Sequence, residues 1–344
     1  MPARHIGPRT SLILLLTLSA ACGGGGSSKS SAAKPATTIA TTATTAPTTT
    51  TTAPKPDQTP KMANLNDTIA VGGAQVIFHG VTVPYAEPDL EEGSIVAAVD
   101  AEVKNPGAAP VDPQLELFLL DAMNGGYRQT DSHVQPAPPE GAIPPNGSKR
   151  GLYVFQILDA SKAPGLRLLV HSTAGSDTEE QFYEVPLVPG GNPPQAPSPA
   201  ALDPAKVYAK GEPAAIGWAV IVVHGVQNPA PPLPYSPPDA GKRFVTIDLE
   251  VFNVTKQTHS GGYDFGDGAQ IQDAQNQTFK SEISARTTHF PDDAFATYMP
   301  ATLGRRGPLT FQIPEASGTG PLKLLLTYHD SDTRKDTVAQ FALS

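Results

Sequence analysis

Five short blocks of this chain occur twice, in the same order, and they carry the period of β-strands. His79-Gly80-Val81 returns as His224-Gly225-Val226, each after a β-branched run (Val76-Ile77-Phe78 and Val220-Ile221-Val222-Val223). Val99-Asp100-Ala101-Glu102-Val103-Lys104-Asn105 returns as Ile247-Asp248-Leu249-Glu250-Val251-Phe252-Asn253. Asp121-Ala122-Met123-Asn124 returns as Asp273-Ala274-Gln275-Asn276. Arg150-Gly151 with Phe155-Gln156-Ile157 returns as Arg306-Gly307 with Phe311-Gln312-Ile313, and Leu166-Arg167-Leu168-Leu169 as Leu322-Lys323-Leu324-Leu325. A shared order with a slowly growing offset points to a tandem duplication with loop insertions in the second copy.

Within the blocks, apolar and polar residues alternate. Val245, Ile247, Leu249 and Val251 are separated by Thr246, Asp248 and Glu250, and Ala97, Val99, Ala101 and Val103 repeat the pattern. Tyr153, Phe155 and Ile157, then Leu309, Phe311 and Ile313, do the same. A period of two with one apolar face is a half-buried strand. Asn105-Pro106-Gly107, Asn124-Gly125-Gly126 and Pro145-Asn146-Gly147 supply the turns. No stretch shows a long helical stripe. The expected fold is therefore all-β: two tandem antiparallel immunoglobulin-like β-sandwiches. With one cysteine in 344 residues, no intrachain disulfide supports either core.

That cysteine has another use. The run Ser11–Cys22 is preceded by Arg4 and Arg9 and followed by Gly23-Gly24-Gly25-Gly26. A basic start, a short apolar centre and small residues before a break describe a secretory signal, too short to span a bilayer, which takes ~20 residues. Small residues directly before Cys22 resemble the lipobox of bacterial lipoproteins, with Ser19 where that family prefers leucine. The resemblance implies cleavage before Cys22, a diacylglycerol on its thiol and an acyl chain such as palmitate on its amine. From Cys22 to residue 62 the chain is mostly Gly, Ser, Ala, Thr and Pro, with nothing to bury against the entropy of ordering it. This is expected to be a disordered tether reaching up to ~140 Å. The formal net charge of -9 argues against nucleic acid as a partner.

Asp67-Thr68-Ile69-Ala70-Val71-Gly72, Val96–Asn105 and Pro145–Phe155 together resemble the DUF4352 family. The resemblance runs from about Asn66 to Leu187; the second copy keeps the central strand and Arg306-Gly307 but has Leu303-Gly304 in place of the usual Pro-Gly turn. It implies extracellular immunoglobulin-like domains of the kind found in lipoproteins of actinobacteria and firmicutes, with no established reaction. The expected layout is a lipoprotein signal peptide at 1–21, the tether at 22–62, a first sandwich at 63–188, a Pro-rich linker at 189–205 and a divergent second sandwich at 206–344.

Catalytic signatures are sparse. Gly-x-Ser-x-Gly, His-Glu-x-x-His and a phosphate-cradling loop are all missing from the sequence. Ser31-Ala32-Ala33-Lys34 fits Ser-x-x-Lys, but in a tether no fold lowers the lysine's pKa. Asp330-Ser331-Asp332 begins like a calcium loop and then places Arg334 and Lys335 at ligand and glycine positions. Asp264 and Asp267 offer too few oxygens, and His79 and His224, read as lying at a strand-to-turn boundary, lack a second ligand at metal spacing. No cofactor, metal or catalytic residue is expected. Trp218 and the loop aromatics Tyr235, Tyr263 and Phe265 are the candidate binding surface. Insertions at Gln227–Lys242 and His259–Gly268 carry the last three. The expected function is a non-catalytic binding module, lipid-anchored on the extracytoplasmic face of the cell membrane, meeting an envelope protein or cell-wall polymer. An envelope hydrolase or a solute-binding receptor with an unrecognised site is the alternative.

Overall fold

A computed structural model describes residues 57–86, 94–130, 135–157, 159–174, 181–190, 194–198, 201–231, 237–259, 268–281, 299–330 and 334–344. The first half contains strands β1 (Lys61–Met62), β2 (Thr68–Val71), β3 (Ala74–Tyr85), β4 (Ile95–Lys104), β5 (Leu115–Leu120), β6 (Gly126–Arg128), β7 (Ser148–Ile157), β8 (Arg167–Ser172) and β9 (Tyr183–Pro186). The second contains β10 (Val207–Tyr208), β11 (Ala214–Ile216), β12 (Ala219–Gln227), β13 (Lys242–Asn253), β14 (Ala269–Gln272), β15 (Thr278–Lys280), β16 (Gly304–Pro314), β17 (Lys323–Asp330) and β18 (Lys335–Ala342).

The two halves share one topology. Sheets β1-β9-β8-β5-β6 and β2-β3-β4-β7 form the first sandwich; β10-β18-β17-β14-β15 and β11-β12-β13-β16 form the second. Raising each label of the first by nine gives the second. Among the described strands, the ladders of the short opening strands are parallel, β1 with β9 and β10 with β18, and the other ladders are antiparallel. The inward residues are those that the alternation predicts: Ala97, Val99, Ala101 and Val103 with Tyr153, Phe155 and Ile157 in one core. Val245, Ile247, Leu249 and Val251 with Phe311 and Ile313 lie in the other. Each fully buried aliphatic or aromatic side chain contributes roughly 1.5–3 kcal/mol of transfer free energy, so the strands are held chiefly by these two cores.

The repeated polar residues have repeated structural work. Arg150 Nε and Nη2 donate to the two oxygens of Asp100 at 2.9 and 2.6 Å, and Arg306 does the same to Asp248 at 2.8 and 2.5 Å. At the ends of β4 and β13, Asn105 Nδ2 donates to the carbonyls of Ala109 and Ile143, and Asn253 Nδ2 to those of Gln257 and Met299. After β5 and β14, Asp121 and Asp273 each accept two backbone N–H bonds, from Met123 and Gly125 and from Gln275 and Gln277.

Three expectations need correction. His79 and His224 lie within β3 and β12, where the register skips from Phe78 to Gly80 and from Val223 to Gly225; each histidine is the extra residue of a β-bulge. The bulge turns both side chains toward the glutamate of the neighbouring strand, Glu102 and Glu250. The tether does not extend to residue 62, because Lys61 and Met62 pair with Tyr183 and Glu184 as β1. The Pro-rich linker is packed in part: Ala196 covers Val220, Val222 and Phe252.

Candidate functional site

Among the described residues, a group of buried polar side chains, Asp121, Asn124, Arg167, Glu184 and Glu250, lies where the first sandwich meets the second. It starts with the turn after β5. Asp121 holds the backbone N–H groups of Met123 and Gly125, and the Tyr127 hydroxyl donates to its other oxygen at 3.1 Å. This turn places Asn124 in the left-handed region (φ 66°), which asparagine tolerates well, and aims its amide across the joint. Asn124 Nδ2 donates to Glu250 Oε1 at 2.7 Å, while Arg167 Nη2 donates to Asn124 Oδ1. Arg167 Nη1 donates to the Asp121 carbonyl at 2.8 Å, and its Nε lies 2.8 Å from Glu184 Oε1. His224 Nε2 meets the second oxygen of Glu250 at 2.7 Å. One network thus joins β5, β8 and β9 of the first sandwich to β12 and β13 of the second.

Backbone and apolar contacts flank it. The Arg306 N–H donates to the Asn124 carbonyl at 2.9 Å, and Gly125 forms a parallel bridge with Arg306. The edge strands β6 and β16 are therefore closed against each other at this point, which removes an unpaired edge. Beside it, Phe118, Leu120, Leu169 and Phe182 are buried with Leu303 packed on them. The Arg305 guanidinium lies 4.7 Å from the Phe118 ring centroid, a cation–π contact. His171, fully buried, stacks between Phe118 and Phe182 and pairs with Glu116 at 2.8 Å. The approach is close on both sides: a Cβ on Gly304 would lie 2.5 Å from Asn124 Nδ2 and 2.8 Å from the Phe252 ring, and one on Gly126 would lie 2.5 Å from Arg305 Nη1 and displace the guanidinium.

Burial pushes the Glu184 carboxyl upward, against the pull of Arg167. Such a pair adds little net stability, because desolvation offsets attraction. What fixes the docking is the bond that crosses the joint: a slip of either sandwich takes Asn124 Nδ2 away from the buried Glu250 carboxylate. Chemically the site is a polar lock, with its acids and bases engaged by one another. Among the described residues, no group of three His, Cys, Asp or Glu side chains could hold a metal ion.

Of the sequence-predicted binding residues, the structure describes Trp218, which is not part of this network. Trp218 packs at the margin of the second core, and its ring stacks on His259 at 4.1 Å and 8°. Cys22, Tyr235, Tyr263 and Phe265 fall outside the described residues, as do Asp264, Asp267 and Asp332. The lock itself escaped the sequence reading. Its signal was the apolar run Leu117-Phe118-Leu119-Leu120, buried on both faces, against Ala269-Gln270-Ile271-Gln272 at the matching place in the second copy.

The fold and the lock define a class: paired β-sandwiches docked through a buried polar joint. Residues 208–338 match the model of a family described as a domain of unknown function, DUF4352. The match falls on the second copy, whereas the sequence reading found the stronger resemblance in the first. Among solved structures, an uncharacterized β-sandwich protein from Clostridium difficile is 12% identical, with 39% of this chain and 99% of that one covered and a TM-score of 0.28. A conserved hypothetical protein from Bacillus anthracis is 13% identical (40% and 96% covered, TM-score 0.29). A functionally unknown protein from Listeria monocytogenes is 14% identical (40% and 85%, TM-score 0.29). No curated protein matches the chain.

Proposed function

We propose that this chain is a lipoprotein, anchored through Cys22 on the extracytoplasmic face of a cell membrane, whose two DUF4352-like sandwiches arose by duplication and act as one non-catalytic interaction module. The observation that carries the reading is the lock. The buried ionisable groups brought together by the fold, Arg167, Glu184 and Glu250, are engaged by one another, by Asn124 or by the more exposed His224, and the Asn124–Glu250 bond joins the sandwiches. A scaffold of this kind presents loops at its ends while its strands stay fixed, and loops are where partner contacts collect. The partner is an envelope protein or a cell-wall polymer.

The anchor is tested directly. One acyl chain gives marginal, reversible membrane binding, whereas two or more hold a protein in place. Cys22→Ala should release the protein into the medium or leave its precursor uncleaved, read by fractionation and intact mass. Normal processing and full membrane retention of that variant would remove the lipoprotein reading. The module is tested by crosslinking in intact cells followed by recovery of the parent chain. Turnover of a wall or peptide substrate by the purified protein would replace it with an enzyme.

A further inference from the structure

The described chain begins on the second sandwich, although Asp57 belongs to the segment leading into the first. Gln58 N–H donates to the Lys256 carbonyl at 2.9 Å, and Thr258 N–H donates to Gln58 Oε1 at 2.8 Å. Asp57 pairs with Lys256 Nζ at 2.7 Å, and this contact holds the Asp57 carboxyl well below the usual carboxylate range. These bonds strap the root of the tether to the loop that follows β13. The same loop carries Val254, one of the exposed large apolar side chains at 44%, whose N–H donates to the Trp218 carbonyl at 3.3 Å. It ends at His259, against which the Trp218 ring is stacked. In the first copy the place of Trp218 is taken by Gly73 and that of His259 by Val111, so the aromatic stack belongs to the strapped copy alone.

We propose that Trp218, Val254 and His259 form a docking surface for this chain's own tether root, Pro54-Lys55-Pro56. Three features of the chain identify the occupant. Asp57 lies at Lys256 and Gln58 reaches from Lys256 to Thr258, so the described chain starts beside this loop and its N-terminal direction is toward Val254. They carry two prolines spaced as Pro-x-Pro. Proline rings pack well on aromatic and aliphatic surfaces, and a proline-rich segment loses little entropy on docking. Lys256 and Asp57 supply the charge pair that sets the register. The proposal does not depend on lipidation of Cys22.

Trp218 is the sole tryptophan, so its fluorescence reports on this surface alone. The experiment uses the full chain carrying Cys22→Ser in mild detergent, with acrylamide as quencher. Pro54→Ser with Pro56→Ser should raise quenching of Trp218 about twofold and shift its emission to the red, as expected for an aromatic ring losing a covering apolar group. Lys256→Ala should do the same by releasing the strap. Pro35→Ser with Pro47→Ser, farther up the tether, should leave both readings at the parent value. The unfolding midpoint is followed in parallel and should be unchanged throughout. Equal quenching in the parent and the Pro54/Pro56 variant would overturn the proposal. So would an equal rise in the Pro35/Pro47 variant, since the occupant would then not be the root.

Discussion

The outer faces of the two five-stranded sheets are built from matching positions and meet opposite fates. In the first copy Phe118, Leu120, Arg167, Leu169, His171 and Glu184 are buried. Their counterparts in the second, Gln270, Gln272, Lys323, Leu325, Thr327 and Gln340, are all half-exposed. The same divergence marks the elements that dock. Leu303 and Arg305 of the second copy press on the first, while the residues matching them, Gly147 and Lys149, lie on no such surface. The shared topology makes both faces available in both halves. One of each pair is sticky and the other polar, so the joint uses unlike surfaces and closes within one chain.

The largest test of that asymmetry is the buried ion pair. Arg167→Ala strands Glu184 in the joint and should cost about 3–5 kcal/mol in urea unfolding. Lys323→Ala at the matching place should stay within about 0.5 kcal/mol. Similar losses at the two sites would mean that the two faces are not differently covered.

Next comes the turn. Asn124→Asp sets a carboxylate against Glu250 and should lower stability by about 2 kcal/mol, most of it recovered when Glu250→Gln is added. Asn276 is exposed, and Asn276→Asp should move the melting temperature hardly at all. A loss at Asn124 that persists beside Glu250→Gln would place its origin in the turn rather than across the joint.

The smallest effect concerns the two Asp–Arg pairs. Hydrogen bonding to Arg150 holds the Asp100 carboxyl below its usual range. A lowered folded-state value means that the pair stabilises above the unfolded pKa of ~4, and that this contribution fades as pH falls through the folded value. Asp100→Asn should therefore flatten the acid limb of the stability profile while costing less than about 1 kcal/mol at neutral pH, because the Arg150 side chain is 57% exposed. Arg306 is only 13% exposed, so Asp248→Asn should cost more at neutral pH. The opposite ranking would undo the link between the joint and the strength of the pair.

Strand periodicity is a local property, which is why the cores were legible. Ile247, Leu249 and Val251 announce their face by alternating with their neighbours, whatever the rest of the chain does. The bulges at His79 and His224 were not, because the pairing that skips a residue lies on the adjacent strand. Nor was the joint, since Asn124 and Glu250 stand 126 positions apart. Comparing the copies would have exposed it: Phe118 against Gln270 and Arg167 against Lys323 are differences that a shared fold does not require. Thr302 is another such mark. It holds a φ of 64°, costly for a β-branched residue, where the first copy has Asn146 at 54°.

The parallel pairing of each opening strand with each closing strand has a mechanical consequence. In each copy the chain enters along one strand and leaves along its neighbour in the same direction, β1 beside β9 and β10 beside β18. A pull between the entering and leaving ends therefore slides the two strands past each other. Their hydrogen bonds are loaded together, in shear, instead of being peeled open one after another. A load applied between the entering and leaving ends of either half acts in this direction, and the ladder between its first and last strands is the part that bears it.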